Sequence, residues 1–351
     1  MLNRFFGQFS KDVAIDLGTS NTRVFVKERG IVMHEPSVVA INNRTNHILA
    51  VGRTAKDMAG RTPPHINIIR PLTKGVISDF EVTEKMMKYF VDKVHEETFN
   101  VVPRPRIVMT VPMEITEVER KAVEDAALAS GAREVFLVES PLASAIGAGL
   151  PVEESVGSLI VDIGGGTTQI AVVSLGGIVT WKSLTVASDE MTKSISQYAR
   201  DVFNLLVGER VAEEVKWRIG STTDLGTGYE MEMRGRHLLT GLPRQIIIHE
   251  GQIREAMYRQ VQQITENIKA TLEVTPPELV ADIYERGLVL VGGGSLLRGI
   301  DRTIQRETDI PVRVAEDPTT AGVRGAGKLL DQEALLKDVA LPATGADAAR
   351  R

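Results

Sequence analysis

VAIDLGTSNTRVFV at 13–26 and LIVDIGGGTTQIAVV at 159–173 follow one plan: an apolar strand closing on an aspartate, a turn rich in glycine and threonine, and a second apolar strand. A supersecondary unit that recurs within one chain predicts two halves built alike. In each copy the aspartate, Asp16 or Asp162, precedes a turn, Gly18-Thr19-Ser20-Asn21 or Gly164-Gly165-Gly166-Thr167. Glycines let backbone N–H groups approach an anion and face it, and hydroxyls add donors, so such a turn can cradle a phosphate. One copy alone reads better as an ordinary glycine-rich hairpin turn. Two matched copies reverse that preference. Facing each other across a cleft, they would grip the β- and γ-phosphates of a nucleotide, with both carboxylates holding Mg²⁺ through its waters.

A third glycine cluster, Gly292-Gly293-Gly294-Ser295, follows the apolar run GLVLV and precedes Leu296, Leu297 and Ile300. Strand, glycine turn and helix N-terminus together predict a surface that a nucleotide can approach closely. Gly322-Val323-Arg324-Gly325-Ala326-Gly327-Lys328 has the GxxxxGK spacing of a P-loop. Leu329 stands where the Mg²⁺-binding hydroxyl is required and no apolar strand leads in, so the stretch reads as a small-residue helix face.

Working outward, short β-rich runs at 13–17, 23–27, 106–111, 158–163, 169–175 and 287–292 alternate with helical patterns. That alternation predicts an α/β protein. Thr116-Glu117-Val118-Glu119 fits a capping box for a helix reaching about Ala129, and further helices are expected over 82–97, 189–204, 208–219, 250–272 and 295–307. With 351 residues the chain is long enough for two or more packed cores. Its net charge of −5 provides no global basic field for nucleic acid. The absence of cysteine excludes disulfides, thiolate metal sites and a cysteine nucleophile, which suits the cytoplasm. No apolar run reaches the roughly 18 residues of a spanning helix, and MLNRFFGQFSKD lacks the h-region and cleavage site of a secretory signal.

In this order the three clusters resemble the phosphate 1, phosphate 2 and adenosine motifs of the actin, DnaK-type chaperone and sugar-kinase superfamily. Within it the chain is similar to the MreB family of bacterial actins over nearly its whole length, through IDLGTSNT, HEPSVVA (34–40), VGRTAKDM (51–58), IRPLTKGVISDF (69–80), VDIGGGTT, GLPR (241–244), TPPEL (275–279), ERGLVLVGGGSLLRGID (285–301) and AEDP (315–318). The resemblance implies an actin-like α/β fold with duplicated ribonuclease-H-like domains, two smaller insertions and a nucleotide cleft between. Its subdomains would be 12–39 with 73–154 and 324–342 (IA), 40–72 (IB), 155–190 with 255–323 (IIA) and 191–254 (IIB), followed by a flexible tail, 343–351.

Carried over by position, Asp16 and Asp162 would manage Mg²⁺. Gly18, Thr19, Ser20, Asn21, Gly164, Gly165, Gly166 and Thr167 would hold the phosphates of ATP or ADP, with Asp162 and Thr167 also in the catalytic group. Gly292, Gly293 and Gly294 would approach the adenosine. Glu213 and Lys216, three apart on one helix face, match the ribose and base contacts; without the resemblance they read as a solvent-side ion pair. One departure concerns hydrolysis: the family usually has Glu-Glu-Pro where this chain has Glu139-Ser140-Pro141. Serine lacks the carboxylate that would position the attacking water, so ATP hydrolysis is expected to be slow unless Glu139 substitutes. Gln169, in place of the usual glutamate after GGGTT, is isosteric and carries little weight.

Residues 1–11 carry a membrane signal. Met1, Leu2, Phe5, Phe6 and Phe9 share one face of a helix with Asn3, Arg4 and Gln8 opposite. On pattern alone this is an interfacial anchor or a segment that packs onto the domain, and similar helices in MreB proteins favour the anchor. Phe99, Val101 and Val102 lie in a loop where the family carries a membrane-inserting segment. The resemblance therefore implies a filament that assembles from copies of this chain, in paired protofilaments, on the inner face of the cytoplasmic membrane. It would scaffold cell-wall synthesis for rod shape with elongation proteins such as RodZ, MreC and MreD. The competing expectation is a small-molecule kinase of the same superfamily; a chaperone ATPase would need a peptide-binding domain for which the chain stops too early.

Overall fold

The computed structural model describes residues 11–96, 104–226 and 228–342. The expected anchor residues Met1, Leu2, Phe5, Phe6, Phe9, Phe99, Val101 and Val102, and the tail from 343, lie outside the described residues. Internal contacts divide the chain into two compact units, Met1–Val156 with Val173–Val179 and Thr319–Arg351, and Gly157–Val172 with Thr180–Pro318.

The first unit is organised by a five-stranded sheet in the order Glu134–Glu139, Arg106–Val111, Val13–Leu17, Asn21–Val26, Gly30–Pro36. Val13–Leu17 pairs parallel with Arg106–Val111 and antiparallel with Asn21–Val26. Because side chains alternate along a strand, Val13, Ile15 and Leu17 join one core with Met86, Met87 and Phe90 of the helix Phe80–His95 and Ala126 of Glu117–Ala129. Thr116 and Glu119 form the expected capping box. Asp16 takes the other face, where a Cβ added to Gly322 of the helix Ala321–Leu329 would stand 3.5 Å from the carboxylate carbon. That helix is the stretch with P-loop spacing, and its glycines serve packing: a Cβ on Gly325 would collide with the Ala143 carbonyl of the helix Ser140–Gly147. A small sheet, His47–Val51, Val39–Asn42 and Ile66–Ile69, completes this unit with a short hairpin.

A second sheet, most of whose residues lie in the second unit, repeats the order. It runs Val312–Val314, Leu288–Val291, Ser158–Ile163, Thr168–Ser174, Gly177–Leu184, so in both sheets the strand bearing the aspartate is central, flanked by its hairpin partner and by a parallel strand from later in the chain. The echo in the sequence is thus a repeated topology. The core gathers Leu159, Val161, Ile163 and Leu290 with Met191 and Ile195 of Ser188–Phe203, Val215 of Glu209–Ile219, and Met257 and Ile264 of Glu250–Glu273.

One expected helix differs. The third glycine cluster does not open an α-helix over 295–307; Gly293–Leu296 is a single 3₁₀ turn, and the α-helix starts only at Ile300, after Gly299 with a φ of 75°. Two glycines seven residues apart with positive φ, Gly292 and Gly299, break the helical path. No helix among the described residues is long and apolar enough to cross a membrane.

Candidate nucleotide site

The two turns share a backbone device. Gly18 N–H donates to Asn21 O at 3.1 Å, and Gly164 N–H donates to Thr167 O at 2.9 Å. The same hydrogen bond explains the same residue: a Cβ on Gly18 would sit 2.8 Å from Asn21 O and one on Gly164 3.0 Å from Thr167 O. Each turn is braced from below by its own unit. Ser37 Oγ donates to Gly18 O at 2.6 Å and bonds Thr22 Oγ1 at 2.9 Å. Ser188 and Asp189 N–H donate to the carbonyls of Gly164 and Gly165, while Thr168 Oγ1 donates to Val186 O. With these carbonyls turned inward, the N–H groups of Gly165 and Gly166 have no hydrogen-bond partner among the described residues. Such adjacent donors form an anion-binding concavity. Thr19 Oγ1 accepts from Gly75 N–H at 2.8 Å, so its own proton remains available for a phosphate oxygen.

The aspartates differ in surroundings. Asp162, half-buried at the end of its strand, lies against Gly292, where any Cβ would collide with Oδ1. The φ of 81° at Gly292 adds a second reason for glycine. Asp16 is held on both sides within its sheet: Thr110 Oγ1 donates to Oδ1 at 2.8 Å and Arg23 Nη1 to Oδ2 at 3.2 Å. Both partners stand directly opposite Asp16 in the strand register.

A recess in the second unit is lined by Lys216, Trp217, Gly293, Gly294, Leu297 and Arg298, among others. Gly293 and Gly294 border it, whereas Gly292 is spent on packing. Only Gly293 has open space where a Cβ would stand; Gly294 is pressed against Ile163. Lys216 is buried, and its Nζ donates to Ser188 O at 2.8 Å and Thr192 Oγ1 at 2.7 Å, which ties Glu209–Ile219 to the start of Ser188–Phe203. Lys216 therefore does not sit on the solvent side of its helix. Glu213 is half-exposed on the same helix and does not line the recess. Trp217 and Arg298, which the sequence reading passed over, supply the large side chains of the rim. The signal for Trp217 was its place beside Lys216 at the end of an amphipathic helix.

At the departure, Ser140 Oγ donates to Val111 O at 3.0 Å, so its hydroxyl is engaged by the backbone. Glu139 caps the helix Ser140–Gly147 and is half-buried; loss of hydration pushes its carboxyl above the usual range.

Comparison with known proteins agrees with this architecture. The family model for MreB/Mbl protein matches residues 10–338. Cell shape-determining protein MreB of Escherichia coli is 49% identical over 335 residues, covering 94% of this chain and 96% of that one. MreB5 of Spiroplasma citri, solved bound to AMPPNP, superposes with a TM-score of 0.88 at 34% identity over 92% of this chain and 97% of that chain. A MamK double helical filament shares the fold, with a TM-score of 0.77 at 23% identity over 92% of this chain and 99% of that chain. These matches favour the actin-like reading over the small-molecule kinase. Two like-built units, each carrying an aspartate before the same hydrogen-bonded turn, and a family match along nearly the whole chain lead to one conclusion: this chain belongs to the MreB/Mbl family of actin-like proteins.

Proposed function

We propose that this chain binds ATP with Mg²⁺ and uses the nucleotide to assemble into filaments on the inner face of the cell membrane, where they scaffold cell-wall synthesis and set cell shape. The observation that carries the reading is the pair of turns with one hydrogen-bond plan, each following a strand-end aspartate, the second with the N–H groups of Gly165 and Gly166 unengaged among the described residues. In the second unit, Gly164, Gly165, Gly166 and Thr167 would take phosphate, and Gly293, Gly294 and Lys216 would border ribose and base. In the first unit, Gly18, Thr19, Ser20 and Asn21 are the matching phosphate group. Bound Mg²⁺ would supply positive charge to the phosphate oxygens, with Asp162 holding it through water as a half-buried strand-end carboxylate does well. Glu139, half-buried one position before Ser140, is the group proposed to take a proton from an attacking water; burial holds its carboxyl above the usual carboxylate range.

Support for the membrane comes from where two apolar segments join the fold. Val13–Leu17 and Arg106–Val111 run parallel with Val13 opposite Ile107, so the chain enters both strands from one end of the sheet. Asp12 fixes that end, accepting from Arg106 Nη2 at 3.1 Å and Arg133 Nη2 at 3.0 Å. The segments that precede these strands in sequence are those of Phe5, Phe6 and Phe9 and of Phe99, Val101 and Val102. Self-assembly agrees with the filament in which MamK was solved, and the cell-shape role with the name of the Escherichia coli relative. RodZ, MreC and MreD are the partners this role implies.

Asp162→Ala tests the nucleotide assignment. Calorimetry should show Mg-ATP binding weakened by about tenfold or more, roughly 1.4 kcal/mol, with ATP-dependent pelleting lost. Unchanged binding would remove Asp162 from the site.

A further inference from the structure

Arg23 has no part in the phosphate reading, yet it is the one charged residue in the strand Asn21–Val26 and is only 9% exposed. A buried guanidinium is costly unless a charge compensates it. Its compensation is Asp16, directly opposite in the antiparallel register, whose Oδ2 accepts from Nη1 at 3.2 Å while Oδ1 accepts from Thr110. Both oxygens of this carboxylate therefore have protein donors before any cation arrives. The buried Nε of Arg23 has no hydrogen-bond partner among the described residues. Of the guanidinium's five N–H donors, the pairing with Asp16 uses one.

A strand-end carboxylate beside a phosphate turn repels the polyphosphate unless positive charge lies near both. Mg²⁺ ordinarily supplies it, held by one or two carboxylates together with phosphate oxygens. Here a fixed monocation already neutralises one of the two aspartates, and a neutralised carboxylate attracts a divalent ion less.

We propose that Arg23 is a positioning residue that replaces cation charge with protein charge at the first phosphate turn, so that the contribution of this turn to ATP binding depends little on Mg²⁺. The inference rests on the reading of Gly18–Asn21 as a phosphate turn, and it leaves Mg²⁺ to Asp162. Arg23 acts through Asp16, by holding its charge and orientation, and needs no contact with the metal.

The test is calorimetric titration of ATP into the full chain, once with Mg²⁺ and once with EDTA, for the parent, Arg23→Met and the double variant Asp16→Asn/Arg23→Met. The ratio of the two affinities separates charge replacement from a merely structural role, which would shift both together. In Arg23→Met the bare Asp16 carboxylate should make the loss on EDTA about tenfold greater than in the parent, the size of a typical coupling between sites. The double variant has no carboxylate to neutralise and should return to the parent's ratio. It also guards against misfolding from an unpaired buried charge, which thermal melting without nucleotide would reveal in the single variant. An equal EDTA ratio in parent and Arg23→Met overturns the proposal, as does a double variant that keeps the larger ratio. Failure of the parent to bind ATP under either condition would instead overturn the nucleotide reading beneath it.

Discussion

At the scale of single residues, Glu139 and Ser140 are proposed to set how fast bound ATP is cleaved. Ser140 gives its proton to the Val111 carbonyl and brings no carboxylate, while Glu139, one position earlier, is a half-buried acid with a raised pKa. Ser140→Glu should raise single-turnover phosphate release in assembled filaments with ATP affinity unchanged; Glu139→Gln should lower it. Removing one positioning or proton-transfer group commonly costs a factor of about 10² or more. Stability gives an independent check on Glu139. A carboxyl raised by burial prefers its protonated form in the fold, so its contribution is present below the unfolded value and lost as pH rises through the folded one. Glu139→Gln should therefore melt higher than the parent at pH 7, with the gap closing toward pH 4. A melting difference independent of pH would show that the burial of this charge is not what the substitution removes.

What a residue reading of the sequence could reach depended on the residue. The turn glycines were legible because type and spacing together specify a backbone shape, and Gly18 and Gly164 indeed make one hydrogen bond in two places. The engagement of Asp16 was not legible. Thr110 lies 94 positions from Asp16 and meets it only through the parallel pairing of their strands. Arg23 did leave a trace, as a lone charge in an apolar strand.

Elements were legible in proportion to their burial. Val13–Leu17, Arg106–Val111 and Ser158–Ile163 have the bounds their apolar runs suggest, since a strand covered on both faces is continuously hydrophobic. Glu230–His237 escaped notice because its exposed face carries Glu230, Glu232, Arg234 and Arg236, and Pro243–His249 because its apolar run is only the three residues Ile246–Ile248, with Ile247 exposed. The helix pair Ser140–Gly147 and Ala321–Leu329 shows what the glycines of the P-loop-like stretch do: Gly325, with Gly147 of the facing helix, lets the two backbones touch, with Ala143 and Ala321 carbonyls where the Cβ atoms would be. Gly325→Ala should therefore destabilise the fold by about 1 to 3 kcal/mol or more, read as a fall in denaturation midpoint, through overpacking. Gly149→Ala meets no neighbouring atom and loses only the freedom its φ of 74° requires; a fall as large there would mean that contact is not the cause.

Across the whole molecule, nucleotide, filament and membrane are proposed to form one coupled system. Burying a phenylalanine side chain is worth roughly 1.5 to 3 kcal/mol at most, and ordering a helix at an interface costs about 1 to 2 kcal/mol per residue. A single chain with a few aromatic residues in these segments of its sequence should thus hold lipid weakly. Each subunit added to a bound filament is already held at the surface by its neighbours, so attachment gains from effective concentration rather than from new contacts. Membrane binding should then require ATP, and filament formation should not require the membrane anchor. Co-sedimentation with liposomes, at a protein concentration where nothing pellets alone, measures this directly in the parent, the Asp162→Ala variant and the Phe5→Ser/Phe6→Ser variant. The account predicts pelleting of the parent with Mg-ATP, little without it, little for Asp162→Ala, and little for the phenylalanine variant although it still binds ATP. Pelleting of all three proteins to the same extent, with or without nucleotide, would contradict it.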